Sequence, residues 1–504
     1  MQPVLSLMHS VFSAFDISII AVYFAAVLGL GLWKGRGERG TVDFVVGGRK
    51  VPWLAVLCSI VATEISAATF IAVPQTGFDG NLNYLQFGIG SIVARFAVAY
   101  IFIGAFYTLG VMTVYEYLSI RFGPRSRYTA TAFFIGGRVL ASGVRLYIAT
   151  YALSGIFAVP MWLSLILFTL AALIYTWVGG ISSVIWTDIV QGFVFIAGGV
   201  ALVIYLQYTV GWGEIFGVAS ASGKLDLLRF SHSGSGAWAW LNDPTLFYVA
   251  VINGFLSTTA ALGTDQDLTQ RMLTCPDARR ARRSIILSGF VGIPVTALFL
   301  LVGVGLYVFY TRHYVGGALP WAVSGDTRLV LPHFIGQVLP HGLKGLLVAA
   351  LFATAMSSID SALGALSSTS VVDIYKPLIS PGRSEAHYLN ACRMAVPVFA
   401  VLICLVAWSM RNAQDMLWQA LKISSIPGGA LLGVFLLGLL SKKRGSDKGN
   451  LIAMLSSAAY SSVMLWLVSK GLHPLAWSWV IVLGAIWTLA VGLFFNEKAG
   501  RREA

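Results

Sequence analysis

The sequence predicts an all-α protein that crosses a membrane about thirteen times, and three observations carry that reading. Of 504 residues, 57% are hydrophobic and only 11% are charged, where a soluble protein of this size carries roughly a quarter charged residues. Apolar runs of about 20 residues, the length a helix needs to cross a bilayer, recur from end to end with mostly short connections. The basic residues gather on alternate connections.

In order, the spans fall at roughly 16–33, 53–78, 83–108, 129–157, 160–178, 184–208, 245–270, 284–310, 342–373, 391–409, 414–440, 449–469 and 475–495. The first precedes the first basic residue, Lys34, so it is expected to be a retained helix with the N-terminus outside. The connections after odd-numbered spans, together with the tail, then hold 23 of the 34 Lys and Arg residues, and the opposite side holds 7. That asymmetry places the basic side and the C-terminus in the cytoplasm. It also explains the net charge of +13 by topology, so no nucleic-acid partner is expected.

Arg95, Arg138, Arg145 and Lys422 fall inside spans, as do Glu64, Asp188 and Asp360. An ionised side chain in hydrocarbon costs at least about 2.5–3.5 kcal/mol, so each must face a partner or a wet cavity. Arg95 and Lys422 suit ion pairs that fix packing.

The second span, "CSIVATEISAATFIAVPQTGF", is interrupted by Thr63, Glu64, Ser66 and Thr69, with Pro74 beyond; the seventh, "VINGFLSTTAALGTDQDLTQR", is interrupted likewise. Helices that unwind inside a membrane free carbonyls for an ion and helix ends for a solute. With the first span set aside, these are positions one and six of a ten-helix core, as an inverted five-plus-five repeat requires. One membrane domain is expected over 1–504: an N-terminal helix and loop (1–50), the core (51–445), and two C-terminal helices with a tail (446–504).

The ninth span holds "LFATAMSSIDSALGALSSTSVVDIYKP". Around Ser357, the residues Thr354, Asp360, Ser361, Gly364 and Ser368 lie within roughly 60° on one helical face. A lone membrane hydroxyl bonds back to a carbonyl one turn earlier, but that does not explain Asp360. Neutral oxygen dipoles plus one carboxylate suit a weakly held hard cation, sodium first. Zinc and redox metals are disfavoured, because no His or Cys lies near this face; Cys58, Cys275, Cys392 and Cys404 show no metal spacing and read as free thiols.

The motifs "GGRKVPW", "ATEISAATFIAVP", "EYLSIRFGPRSR", "YTWVGGISSVIWTDIVQG", "DQDLTQR" and "AMSSIDSALGALSSTSVVDIYKP" follow one another in an order that resembles the solute:sodium symporter family. The pattern is most similar to its bacterial sialic acid transporters. The resemblance implies the LeuT-type fold with three helices beyond the core, and a first sodium site of the Ala62 and Ile65 carbonyls with Thr354, Ser357 and Ser358. It implies a second sodium site at Asp188, Asp360 and Ser361. Asp360 stands where the family has a serine, which either strengthens that site or leaves one carboxyl protonated, so sodium count and proton coupling stay open.

The same resemblance implies an arginine for a solute carboxylate on the third core helix. Arg138 and Arg145 share one face there; an ungapped comparison points between them, at Ala141, and the "IG" context favours Arg138. Glu64 departs from the neutral hydroxyl residue of the sialic acid transporters, where sugar transporters have an amide and proline transporters an aspartate, and suits an amine, the sodium or an arginine. Ser66, Thr69, Tyr84 and Gln86 are further candidates for polar solute contacts. The expected activity is sodium-coupled import of a small polar, carboxylate-bearing solute such as a sugar acid, with a proline-like zwitterion or a sugar as alternatives. Partners are then the solute, sodium and the lipid bilayer, with the chain acting as a monomer in the cell's inner or plasma membrane. A channel would show a repeated filter, a sensor a signalling module, and an enzyme a nucleophile with a base; no His occurs inside the core helices, and no enzymatic activity is expected.

Overall fold

The computed structural model describes residues 12–65, 67–157, 159–231, 239–317, 319, 321–322, 325–410, 416–473 and 475–495. The helices are α1 (Ala14–Lys34), α2 (Thr41–Val46), α3 (Trp53–Glu64), α4 (Ala67–Asp79), α5 (Leu85–Ala97), α6 (Val114–Arg121), α7 (Pro124–Phe157) and α8 (Met161–Thr209). There follow α9 (Trp212–Ala221), α10 (Phe247–Thr264), α11 (Gln266–Leu273), α12 (Ala278–Val308), α13 (Leu343–Thr369), α14 (Glu385–Ser409), α15 (Met416–Leu440), α16 (Asp447–Ser469) and α17 (Trp479–Leu493).

Both expected interruptions are present. The α3 ladder stops at Ile65, whose backbone is extended (φ −87°, ψ 99°), and helix resumes at Ala67. Asp265 is likewise extended (φ −93°, ψ 120°) between α10 and α11. Each stop strips intrahelical partners from the last carbonyls of the preceding helix.

Among the described residues, nine helices are long and apolar enough to cross a bilayer, or ten if the bent pair Thr41–Arg49 and Trp53–Glu64 is one span. The expected thirteen is not reached by that measure, for reasons visible in the backbone. Span 53–78 is two helices of 12 and 13 residues, and α17 has only 15. The two spans expected at 160–178 and 184–208 form α8, a helix of 49 residues broken at Gly179 and Gly180. Gly180 adopts φ 45° and ψ −148° with Phe44 against it, a conformation and a space that only glycine tolerates.

The helix with the oxygen stripe is the centre of the bundle. From Leu347 to Thr369 every residue of α13 is buried, and α1, α3, α4, α7, α8, α11 and α14 pack around it. By contrast, α1 and α14 expose Val22, Val398, Val401 and Leu405, as lipid-facing helices do.

Candidate functional site

The oxygen stripe meets the broken helix through Asp188 of α8. Its Oδ1 accepts from Ser357 Oγ of α13 at 2.5 Å, and its Oδ2 from Ser59 Oγ of α3 at 2.5 Å and Thr63 Oγ1 at 3.4 Å. One carboxylate thus clamps α13 beside the last turns of α3, where Ala62 and Ile65 are buried. Thr354 and Ser358 lie on the same face, their hydroxyls donating back to the Leu351 and Thr354 carbonyls at 2.9 and 3.0 Å. Of the residues expected at the first sodium site, Ser357 is tied through Asp188 to the last turns of α3, with its hydroxyl committed to that carboxylate.

The second expected site is occupied differently. The Arg271 guanidinium reaches Asp188 Oδ2 at 3.2 Å and also contacts Ser361 Oγ. Among the described residues, Asp360 hydrogen-bonds to no cationic side chain: Tyr175 donates to its Oδ2, and the Ser361 backbone N–H donates to Oδ1 at 2.5 Å. Arg271 was expected in a cytoplasmic connection, yet its side chain is fully buried. Helix α11 carries it inward, and Asp267 one turn earlier pairs with it at 3.0 Å. The Asp267–Arg271 spacing within "DQDLTQR" was the available signal, since a pair at i,i+4 neutralises itself on one helical face.

Above the clamp lies a cavity of about 330 Å³, lined among others by Thr63, Glu64, Ile65, Thr69, Tyr84, Ser91, Arg95, Arg138, Arg145, Thr258, Asp267 and Thr296. Its charges are mostly paired. Arg95 Nη2 grips both oxygens of Glu64, with Glu64 Oε1 at 2.6 Å, so the acid belongs to the α5 arginine rather than to either arginine of α7. Arg138 Nη2 is 2.5 Å from Asp265 and its Nη1 is 3.0 Å from Asp267. Arg145 is partly exposed in the same cavity and, among the described residues, makes no hydrogen bond or ion pair. Arg138, the arginine favoured for a solute carboxylate, is thus already held by two acids at the α10–α11 break.

Thr69 and Tyr84 line the cavity. Gln86 does not: it is buried, its amide nitrogen donates to the Asn83 and Thr245 carbonyls at 3.0 and 2.9 Å, and its oxygen accepts the Arg229 N–H at 3.0 Å. With both ends of its amide engaged by loop backbone, it is a fastener outside the cavity. Ser66 and the Lys422 side chain lie outside the described residues. Ser91, Thr258 and Thr296 join the lining unannounced, since single hydroxyls in membrane helices carry no distinguishing pattern.

This geometry agrees with comparisons to known proteins. The sodium/sialic acid symporter of Proteus mirabilis (strain HI4320) is 28% identical over 436 residues, covering 86% of each chain. The sodium/glucose cotransporter of Vibrio parahaemolyticus is 28% identical over 470 residues, covering 89% of this chain and 84% of that one. A solved structure of a Na⁺-coupled sialic acid symporter, substrate-bound and outward-open, superposes with a TM-score of 0.85 at 25% identity, covering 97% of this chain and 100% of that one. Residues 44–457 match the model of the sodium:solute symporter family, and the chain belongs to that family: a multi-pass membrane symporter of the LeuT-type fold whose coupling ion is sodium.

Proposed function

We propose that the transported solute is a small sugar acid of the sialic acid type, imported with sodium by alternating access. The observation that carries this reading is Arg145, a guanidinium facing a solute-sized cavity and, among the described residues, in no ion pair, with Asp265 and Asp267 committed to Arg138. Such a group is matched by a carboxylate, which it binds through two parallel N–H bonds. Glu64 supports the rest of the solute: Arg95 fixes it, while 26% of its side chain stays exposed, leaving an acceptor edge for a hydroxyl or an amide N–H. The likeness to sialic acid symporters points to the same class. A second reading, a proline-like zwitterion, is favoured by Glu64 alone, whose free edge also suits an ammonium group.

In this reading the Ala62 and Ile65 carbonyls, with oxygens of Thr354 and Ser358, hold sodium at the α3 break. Ion and solute both favour the outward state, and joint occupancy permits the change to an inward state. Each net inward charge gains about 2.3 kcal/mol per 100 mV, but one sodium entering with one carboxylate anion carries no net charge, so the sodium concentration gradient drives accumulation, tenfold for each ~1.4 kcal/mol it holds. Residues 51–445 act as the moving ten-helix core, and the chain works as a monomer. The distribution of Lys and Arg supports an outside N-terminus and a cytoplasmic C-terminus in the cell's inner or plasma membrane.

Proteoliposome uptake of radiolabelled N-acetylneuraminic acid tests this. Accumulation under an inward sodium gradient, absent when choline replaces sodium and not displaced by excess proline or glucose, is the expected result. Proline uptake without sialic acid uptake selects the second reading.

A further inference from the structure

Arg271 has no part in the transport scheme above, yet it is a fully buried charge with a complete set of hydrogen bonds. A guanidinium has five N–H donors, and each finds an acceptor here. Nε donates to Ser59 Oγ at 2.9 Å, Nη1 to the Asp267 carbonyl at 2.5 Å and to Asp267 Oδ1 at 3.0 Å, and Nη2 to Asp188 Oδ2 at 3.2 Å and to Ser361 Oγ. The side chain is wholly enclosed between α3, α8, α11 and α13.

Those acceptors include two of the three residues expected to form a second sodium site. An ion at Asp188 needs oxygen lone pairs turned toward one point. Here Ser59 and Ser357 spend their hydroxyl protons on the Asp188 carboxylate, and Ser361 donates to the Ser357 carbonyl while accepting from Arg271. A sodium ion would also sit directly beside a fixed positive charge. The donor set fits a guanidinium and does not fit a second metal ion.

We infer that Arg271 is the resident cation of this site: it permanently supplies the positive charge that a second sodium would bring, so the chain binds one sodium ion, at the α3 break. An arginine is suited to this because it stays charged under all physiological conditions and is tethered to the chain. The inference rests on the sodium-coupled reading above, though not on the identity of the solute. Through Asp267, which also faces Arg138 and the cavity, the tethered charge stays tied to the solute side while bonding the sodium-site helix.

The test counts ions directly. Equilibrium binding of ²²Na⁺ to the purified full-length protein, without solute, should saturate near one ion per chain with a Hill coefficient near one. Arg271→Gln, which keeps hydrogen-bonding capacity and removes the charge, should bind a second, weaker sodium. Two ions per chain in the wild type overturn the inference whatever the variant does, including a variant that fails to fold. A count of one in both proteins also overturns it, because removing the charge would then have opened nothing. A count of zero overturns sodium coupling itself and this inference with it, which separates that failure from the others.

Discussion

Arg95 on α5 donates through a single nitrogen to both carboxylate oxygens of Glu64 at the end of α3, fastening one wall of the cavity to the broken helix beside it. The guanidinium is only 4% exposed, against 26% for the acid. Losing one partner is therefore worse than losing both, because the survivor keeps a buried, uncompensated charge. Glu64→Gln is expected to cost about 3 kcal/mol, and the double variant Glu64→Gln/Arg95→Gln to recover at least half of that. Thermal unfolding of the four forms in detergent measures the coupling, and simply additive losses would show that there is none.

The two α7 arginines should separate by phenotype. Arg145→Ala removes a group that makes no hydrogen bond or ion pair among the described residues, so folding is expected to persist while apparent affinity for a carboxylate solute drops roughly 10- to 100-fold. Arg138→Ala strands Asp265 and takes one of two arginines from Asp267, which keeps Arg271, and should lower expression and melting temperature first. The opposite pattern, a stable and non-binding Arg138→Ala beside an active Arg145→Ala, would return the carboxylate to Arg138.

For sodium, Ser358→Ala should raise the concentration for half-maximal uptake roughly tenfold, the effect of losing about 1.4 kcal/mol of ion binding. Ser357→Ala acts on a different link: it removes the donor from Asp188 Oδ1 and is expected to loosen α13 from α8. Sodium titrations of uptake, read beside melting curves, distinguish the two effects.

Glu38, in the connection between α1 and α2, has both carboxylate oxygens buried without a hydrogen-bond partner among the described residues. Burial pushes its carboxyl up to about 8 from an ordinary 4.5, against the opposing pull of Arg393. An acid whose folded-state pKa is raised holds more protons folded than unfolded, so stability falls as pH rises between those two values and levels off above them. Glu38→Gln should remove that decline. The variant's advantage in melting temperature is expected to be small near about pH 5 and largest near about pH 9; an advantage that does not change with pH would mean that Glu38 does not titrate in this range.

Asp16 of α1 caps a different helix. It accepts the Gly342 and Gly345 backbone N–H groups at 2.7 and 2.9 Å, where α13 begins, and its other oxygen is 2.7 Å from His341 Nδ1. Asp16→Ala is expected to cost about 2 kcal/mol by leaving those donors unpaired, whereas Asp16→Asn should retain part of the cap. Chemical denaturation of the three forms checks the ranking.

By itself the sequence determined what depends on order along the chain. Apolar length marked the membrane crossings, the distribution of basic residues supplied an expected orientation, and polar residues inside apolar runs marked the breaks at Ile65 and Asp265. The face shared by Thr354, Ser357, Asp360 and Ser361 followed from helical geometry alone. Only the tertiary structure decided which charge meets which: Glu64 with Arg95, Arg138 with Asp265 and Asp267, Arg271 with Asp188, and Arg145 in no ion pair among the described residues. Helical period fixes which side of a helix a residue occupies, but pairing needs the rotation and depth of the neighbouring helix, and those are set by packing among segments far apart in the chain.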